Sequence, residues 1–219
     1  MKKILFSFIS LFVLISIISC DEHEPVVVET IQPGYVVLDN GFAIHPDKYD
    51  SCHDKAVGVV FYVNNGSDDN FTAGQAFAVS LHDISQRLAL TDTIPVSVGA
   101  STSTEDYEGM SNTYLFYQKG ACGPATLLSS FWGQSSLRSY LPSIGQLRRL
   151  YAAKSTINPI IEKCGGNPFE DSNDNDYWSS TEVEGAEKDF VWVLSLTSGQ
   201  PRQSLKTVPQ RCRAVITVY

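Results

Sequence analysis

A chain of 219 residues, 43% hydrophobic and 18% charged, has length for one domain with a sizeable core plus a short appendage. Its formal net charge of −8 argues against a nucleic-acid partner, because such binding runs on Lys and Arg neutralising phosphates. The same balance argues against electrostatic adhesion to anionic lipid.

Lys2 and Lys3 are followed by an apolar run from Ile4 to Ile18, interrupted only by Ser7, Ser10 and Ser16. Residues 1–19 therefore have the shape of a secretory signal that is removed from the mature protein. The ending Ile17-Ile18-Ser19-Cys20 resembles a bacterial lipobox, in which the Cys is acylated and becomes the first mature residue. Cys20 is then a lipid anchor, each buried acyl methylene stabilising attachment by about 0.8 kcal/mol. Loss of Lys2 and Lys3 with the signal moves the net charge from −8 to −10. Asp21-Glu22-His23-Glu24 resembles a surface-export signal of some Gram-negative lineages, or serves as a plain acidic tether. The expected location is the outer membrane, facing outward, with 20–33 as tether and 34–219 as one domain.

Within that domain, Tyr35 to Ile44 is predicted to be a hairpin turning at Asp39-Asn40-Gly41. Ala56–Val63 and Gln75–Leu81 form a second hairpin across the polar turn 64–70. Residues 91–110 read as irregular. Ser111 or Asn112 is predicted to cap a helix through Tyr117, and another helix runs from Pro124 to Trp132. Ser143 opens a helix with a Ser-x-x-Gln capping box to Gln146; Ile144, Leu147, Leu150 and Tyr151 share one face, while Arg148 and Arg149 point away. Asn158-Pro159 is expected to restart a short helix that ends at Cys164-Gly165-Gly166. Tyr177–Thr181, Asp189–Leu196 and Arg211–Tyr219 complete the pattern as strands, with a turn at 197–200. Strands, then helices, then strands predict an α+β fold with a mainly antiparallel sheet and two or three helices.

Three spaced motifs are shared with a known family: Leu141-Pro142-Ser143…Gln146-Leu147…Leu150-Tyr151, Tyr177-Trp178-Ser179-Ser180-Thr181, and Arg211-Cys212-Arg213-Ala214-Val215. They resemble those of the Lcl C-terminal-like family, a large bacterial group of exported domains named after the end of a collagen-like adhesin. Gln146 stands where that family usually has Glu. The resemblance implies a C-type-lectin-like fold, also found in formylglycine-generating enzymes and tip adhesins, and fold does not give function.

Cys52, Cys122, Cys164 and Cys212 in an exported chain suggest two disulfides among three connectivities. The lectin-like resemblance implies Cys122 with Cys212 and Cys52 with Cys164. Cys52 with Cys122 and Cys164 with Cys212 is the alternative.

Enzyme signatures are missing: the chain has no Gly-x-Ser-x-Gly, phosphate-binding loop or His-Glu-x-x-His, and Cys212 lacks the neighbouring Cys that formylglycine-generating chemistry needs. The expectation is therefore a non-enzymatic protein. Glu170 to Asp176 alternates carboxylate and amide oxygens, the ligand type Ca²⁺ prefers. It lacks the Gly and distal Glu of an EF-hand, and like charges usually just stay in water, so a solvated loop outweighs a Ca²⁺ site. No other cofactor is implied. Asp171, Asn173, Asp174 and Asp176, with the aromatic pair Tyr177 and Trp178, are the candidate ligand loop. The functional expectation is a cell-envelope lipoprotein acting as a binding or adhesion module for glycan or extracellular protein. The alternative is an accessory subunit of a surface assembly, such as a pilus or a glycan-uptake complex.

Overall fold

Gly41, at φ 92°, makes the turn between β1 (Val36–Leu38) and β2 (Ala43–Ile44), and the Phe42 N–H is held by Asn40 Oδ1 at 3.0 Å. The expected first hairpin is thus present in the computed structural model, which describes residues 30–64, 66, 75–91, 96–119, 123–124, 138–173 and 175–219. Ile31–Tyr219 forms one unit by its internal contacts, and Met1–Thr30 is separate. Cys20 and the first 29 residues lie outside the description, as do Cys122, Asp174 and most of the helix expected over 124–132.

The second hairpin also forms. β3 (Ala56–Val63) pairs antiparallel with β4 (Ala76–Ser80). Their near-continuous apolar sequence suits strands covered on both faces. Val59, Phe61, Phe77 and Val79 face one core, while Val60, Ala76 and Ala78 join a second cluster with Val37, Ile216 and Val218.

α1 (Gly109–Gln118) starts earlier than its sequence suggests. Asn112 does not cap it. Its amide is inside the helix, donating to Asp106 Oδ2 at 2.5 Å and accepting from the Ser101 N–H at 3.0 Å. After β6 (Ser139–Tyr140) comes α2 (Ile144–Lys163), whose capping box is complete. Ser143 Oγ accepts from the Gln146 N–H at 3.3 Å and Gln146 Oε1 from the Ser143 N–H at 2.9 Å. Ile144, Leu147 and Leu150 are buried, Tyr151 half so, and Arg149 is exposed, as the periodicity predicts. Gly145 permits the close approach of the 106 segment: a Cβ there would stand 2.3 Å from Asp106 O.

The expected break at Asn158-Pro159 does not occur, for α2 runs through Pro159 to Lys163. Asn158 has other work. Its amide donates to Phe169 O and accepts from the Phe169 N–H, both at 2.9 Å, clamping the returning chain onto the helix. The predicted end is present, with Gly165 at φ 75° just past the Cys164 cap.

Five strands follow the helices or join from earlier in the chain: β7 (Asp176–Glu182), β8 (Phe190–Ser195), β9 (Pro201–Leu205), β10 (Gln210–Cys212) and β11 (Val215–Val218). With β5 (Ser85–Leu88) they complete two sheets, β2-β1-β3-β4-β11-β6 and β5-β10-β7-β8-β9. Among the described residues, only the β10/β7 pair, at Arg211 and Tyr177, is parallel. The result is α+β and mostly antiparallel. The sequence reading missed β5 and β9, both edge strands, and took 211–219 as one strand. It is two, in different sheets, because the chain breaks at Arg213-Ala214: the Arg213 side chain turns inward and Ala214 O accepts from the Ser80 N–H at 2.9 Å.

The disulfide expectation is corrected. Cys52 and Cys164 are not disulfide-bonded, so neither pairing set holds as a whole. Cys52 sits on an exposed turn, its N–H fixed at 2.9 Å to Asp50 Oδ1. Cys164 caps α2 half-buried beside Tyr49, and burial pushes its thiol pKa up. Cys212 is buried in the second sheet.

Candidate functional site

All seven residues of β7 are buried, and each spends its side chain on the interior. Tyr177 donates to Asp83; Trp178 Nε1–H donates to Leu88 O at 2.6 Å; Ser179 donates to Trp192 O at 2.6 Å. Ser180 reaches Leu141 O and Pro142 O, each at 3.2 Å, and Thr181 donates to Asp106 Oδ2 at 2.9 Å. Glu182 accepts from the N–H groups of Val98, Gly99 and Ala100 at 2.9, 3.2 and 3.1 Å, and from Lys206 Nζ at 2.7 Å. Lys206 also donates to Val96 O and Glu187 O, and both charges are almost wholly shielded. A strand so completely bonded is a hub of packing. Trp178, 0% exposed, is removed from the candidate ligand pair.

Two clefts lie beside this hub. The larger, about 510 Å³, is lined by His82, Asp83, Asn167, Glu170, Tyr177 and Arg211 among others. Asp83 accepts from Arg213 Nε at 2.5 Å, from Arg211 Nη1 at 3.4 Å, and from the Tyr177 hydroxyl at 3.3 Å to either oxygen. Arg213 is buried, its guanidinium 4.1 Å above the Phe169 ring and its Nη1 donating to Asn167 O at 2.7 Å. Burial pushes the Tyr177 phenol up to about 12, partly opposed by the Arg213 charge. For Arg211, burial works against the charged form, but Tyr177 and Asp83 outweigh it and hold the pKa above the ordinary guanidinium value. Asp83, spanned by three donors, is already committed and makes no free base.

The smaller cleft, about 230 Å³, is lined entirely by polar residues: Ser172, Asn173, Ser195, Thr197, Ser198, Gln200 and Arg202. It brings the segment around Ser172 and Asn173 against the β8–β9 hairpin. Of the carboxylates expected to converge there, Asp171 pairs with Lys154 and Asp176 with Arg202, so each is drawn to a different cation. Among the described residues, no group of three His, Cys, Asp or Glu side chains could hold a metal ion. Of the expected loop residues that are described, Asn173 alone lines this cleft, and Tyr177 lines the larger one.

Sequence reasoning missed Asp83, Arg213 and the hairpin hydroxyls. Arg211 and Arg213 were in view within the closing motif, but alternate positions of an apparent core strand gave no sign that one turns inward. Asp83 carries no local signal at all, since its partners lie 94 to 130 residues away.

No protein-family model matches the chain, and no curated protein does. Among solved structures it is similar to a crystal structure of a fimbrial protein from Bacteroides ovatus, with a TM-score of 0.67 and 15% identity. That similarity covers 86% of this chain and 49% of the other. The two share a fold, and this chain spans about half the length of the fimbrial protein.

Proposed function

We propose that the protein is an accessory subunit of a cell-surface assembly of the pilus type, attached to the outer membrane by lipid on Cys20 and facing outward. One observation carries this reading: the fold extends over 86% of the chain in common with a fimbrial protein. The interior supports a scaffold role, because the side chains of β7 are committed to holding loops and helices in place. Kinship with the Lcl C-terminal-like family, and its C-type-lectin-like arrangement, belong to the same proposal. They are supported by the Ser143–Gln146 cap, β7 and β10–β11 meeting around a shared core.

The reading is tested on filaments sheared from the cell surface. Antibody against the protein is expected to label them in electron micrographs, and deletion of the chain to change filament number or length. Unlabelled filaments, unchanged by the deletion, would sink the proposal. A second reading, adhesion to glycan or extracellular protein, is favoured by a different observation, the polar cleft beside the β8–β9 hairpin.

A further inference from the structure

We propose that the cleft between Ser172-Asn173 and the β8–β9 hairpin binds a neutral saccharide. Its walls are held before any ligand arrives. Thr197 Oγ1 donates to Ser172 O at 2.7 Å and accepts from the Ser172 N–H at 3.1 Å, stitching the two segments together. Leu196 N–H donates to Asn175 O at 2.9 Å, and Lys154 Nζ to Leu196 O at 2.7 Å, which fastens the hairpin base to α2. A site arranged in advance loses less freedom on binding.

The hydrogen-bonding groups it offers are those a polyol needs. Ser195 Oγ accepts from the Thr197 and Ser198 N–H groups, both at 3.3 Å, and Ser198 Oγ accepts from the Gln200 N–H at 3.4 Å. Ser195 Oγ thereby has both acceptor positions occupied and keeps its proton to donate, while Ser198 Oγ can donate and accept once more. Asn173 and Gln200 are exposed amides at the rim, each able to donate and accept at once.

Charge selects against acidic sugars. Among the described residues lining the cleft, Arg202 is the one cation, and it is already paired with Asp176, whose side chain is only 9% exposed. The chain as a whole is at −8, so an anion gains nothing by approaching. At about 230 Å³ the cleft is smaller than the roughly 300–1,000 Å³ of drug-sized sites, which suits one ring of a longer glycan.

The test places the purified full-length protein on a printed array of neutral oligosaccharides, with sialylated and sulfated ones alongside. Binding to neutral glycans is expected. Asn173→Ala and Gln200→Ala are each expected to lower affinity about five- to tenfold, the worth of one or two hydrogen bonds. Both variants should melt with the parent protein, since each side chain is exposed. Binding confined to acidic glycans would overturn the proposal, as would no binding by the folded protein. Neutral-glycan binding that both variants retain in full would overturn it equally, by placing the ligand elsewhere. None of these outcomes bears on whether the protein joins a filament.

Discussion

The Tyr177 phenol sits where the second sheet meets the larger cleft, 2% exposed as a residue and bonded to a carboxylate already engaged by two guanidinium groups. Burial is the first cause of its elevated pKa of about 12, against an ordinary value of 10. The sign of the linkage follows. Below pH 10 the phenol is neutral in folded and unfolded chains alike, and the fold keeps its full benefit. Between 10 and 12 the unfolded chain ionises first and draws the equilibrium toward itself, and the contribution is gone once pH passes the folded value. The difference is worth on the order of 2–3 kcal/mol. Urea midpoints measured from pH 8 upward should therefore fall more steeply for the parent than for Tyr177→Phe. Tyr140, whose buried phenol is also raised, leaves a common slope in both proteins. Equal slopes would show that Tyr177 ionises in the fold as readily as outside it.

At the scale of elements, β7 ties four parts of the chain together, and its last residue does so with a charge. Glu182 gathers the 98–100 N–H groups, and Lys206, one residue beyond β9, closes the site from the other side. Removing one member of a buried pair strands the other, which costs about 3–5 kcal/mol, whereas replacing both by apolar groups can be near neutral. Lys206→Met should lower the melting temperature sharply, and Glu182→Leu added to it should recover part of the loss. A small effect from Lys206→Met alone would mean that water reaches Glu182. None of this was legible in the sequence, where Lys206 is one Lys after an exposed Leu205 and nothing local pairs it with a Glu 24 residues earlier. What was legible was local or strongly periodic: the Asn40-Gly41 turn, the unbroken apolar β3, and the Ser143–Gln146 cap with its buried face. The edge strands β5 and β9, Ser-Gln-Arg-Leu and Pro-Arg-Gln-Ser-Leu, lack the apolar alternation that marks a strand; in β9 the one buried residue is the polar Ser204, while Leu205 is exposed. Asn158-Pro159 misled in the other direction. Its turn chemistry is genuine, but the clamp on Phe169 and the burial of Ile157 and Ile161 outweigh it. Within the candidate ligand loop, Asp171 and Asp176 are claimed by Lys154 and Arg202 from distant elements, which the local sequence does not show.

For the whole molecule, the proposed address rests on one residue. A single acyl chain gives only marginal, reversible attachment, so a firm hold requires several chains on Cys20. The net charge of −10 of the proposed mature chain gives no electrostatic hold on anionic lipid. Cys20→Ala should therefore abolish fatty-acid labelling of the chain and leave the signal unprocessed by the lipoprotein pathway. Replacing Asp21, Glu22 and Glu24 with Ala separates anchoring from orientation. That variant keeps its lipid, and on intact cells it should lose sensitivity to added protease if the acidic run directs the protein outward. Continued fatty-acid labelling of Cys20→Ala would refute the anchor. Unchanged protease sensitivity of the acidic variant would reduce Asp21-Glu22-His23-Glu24 to a tether, and the outward orientation that filament assembly requires would have to be encoded elsewhere in the chain.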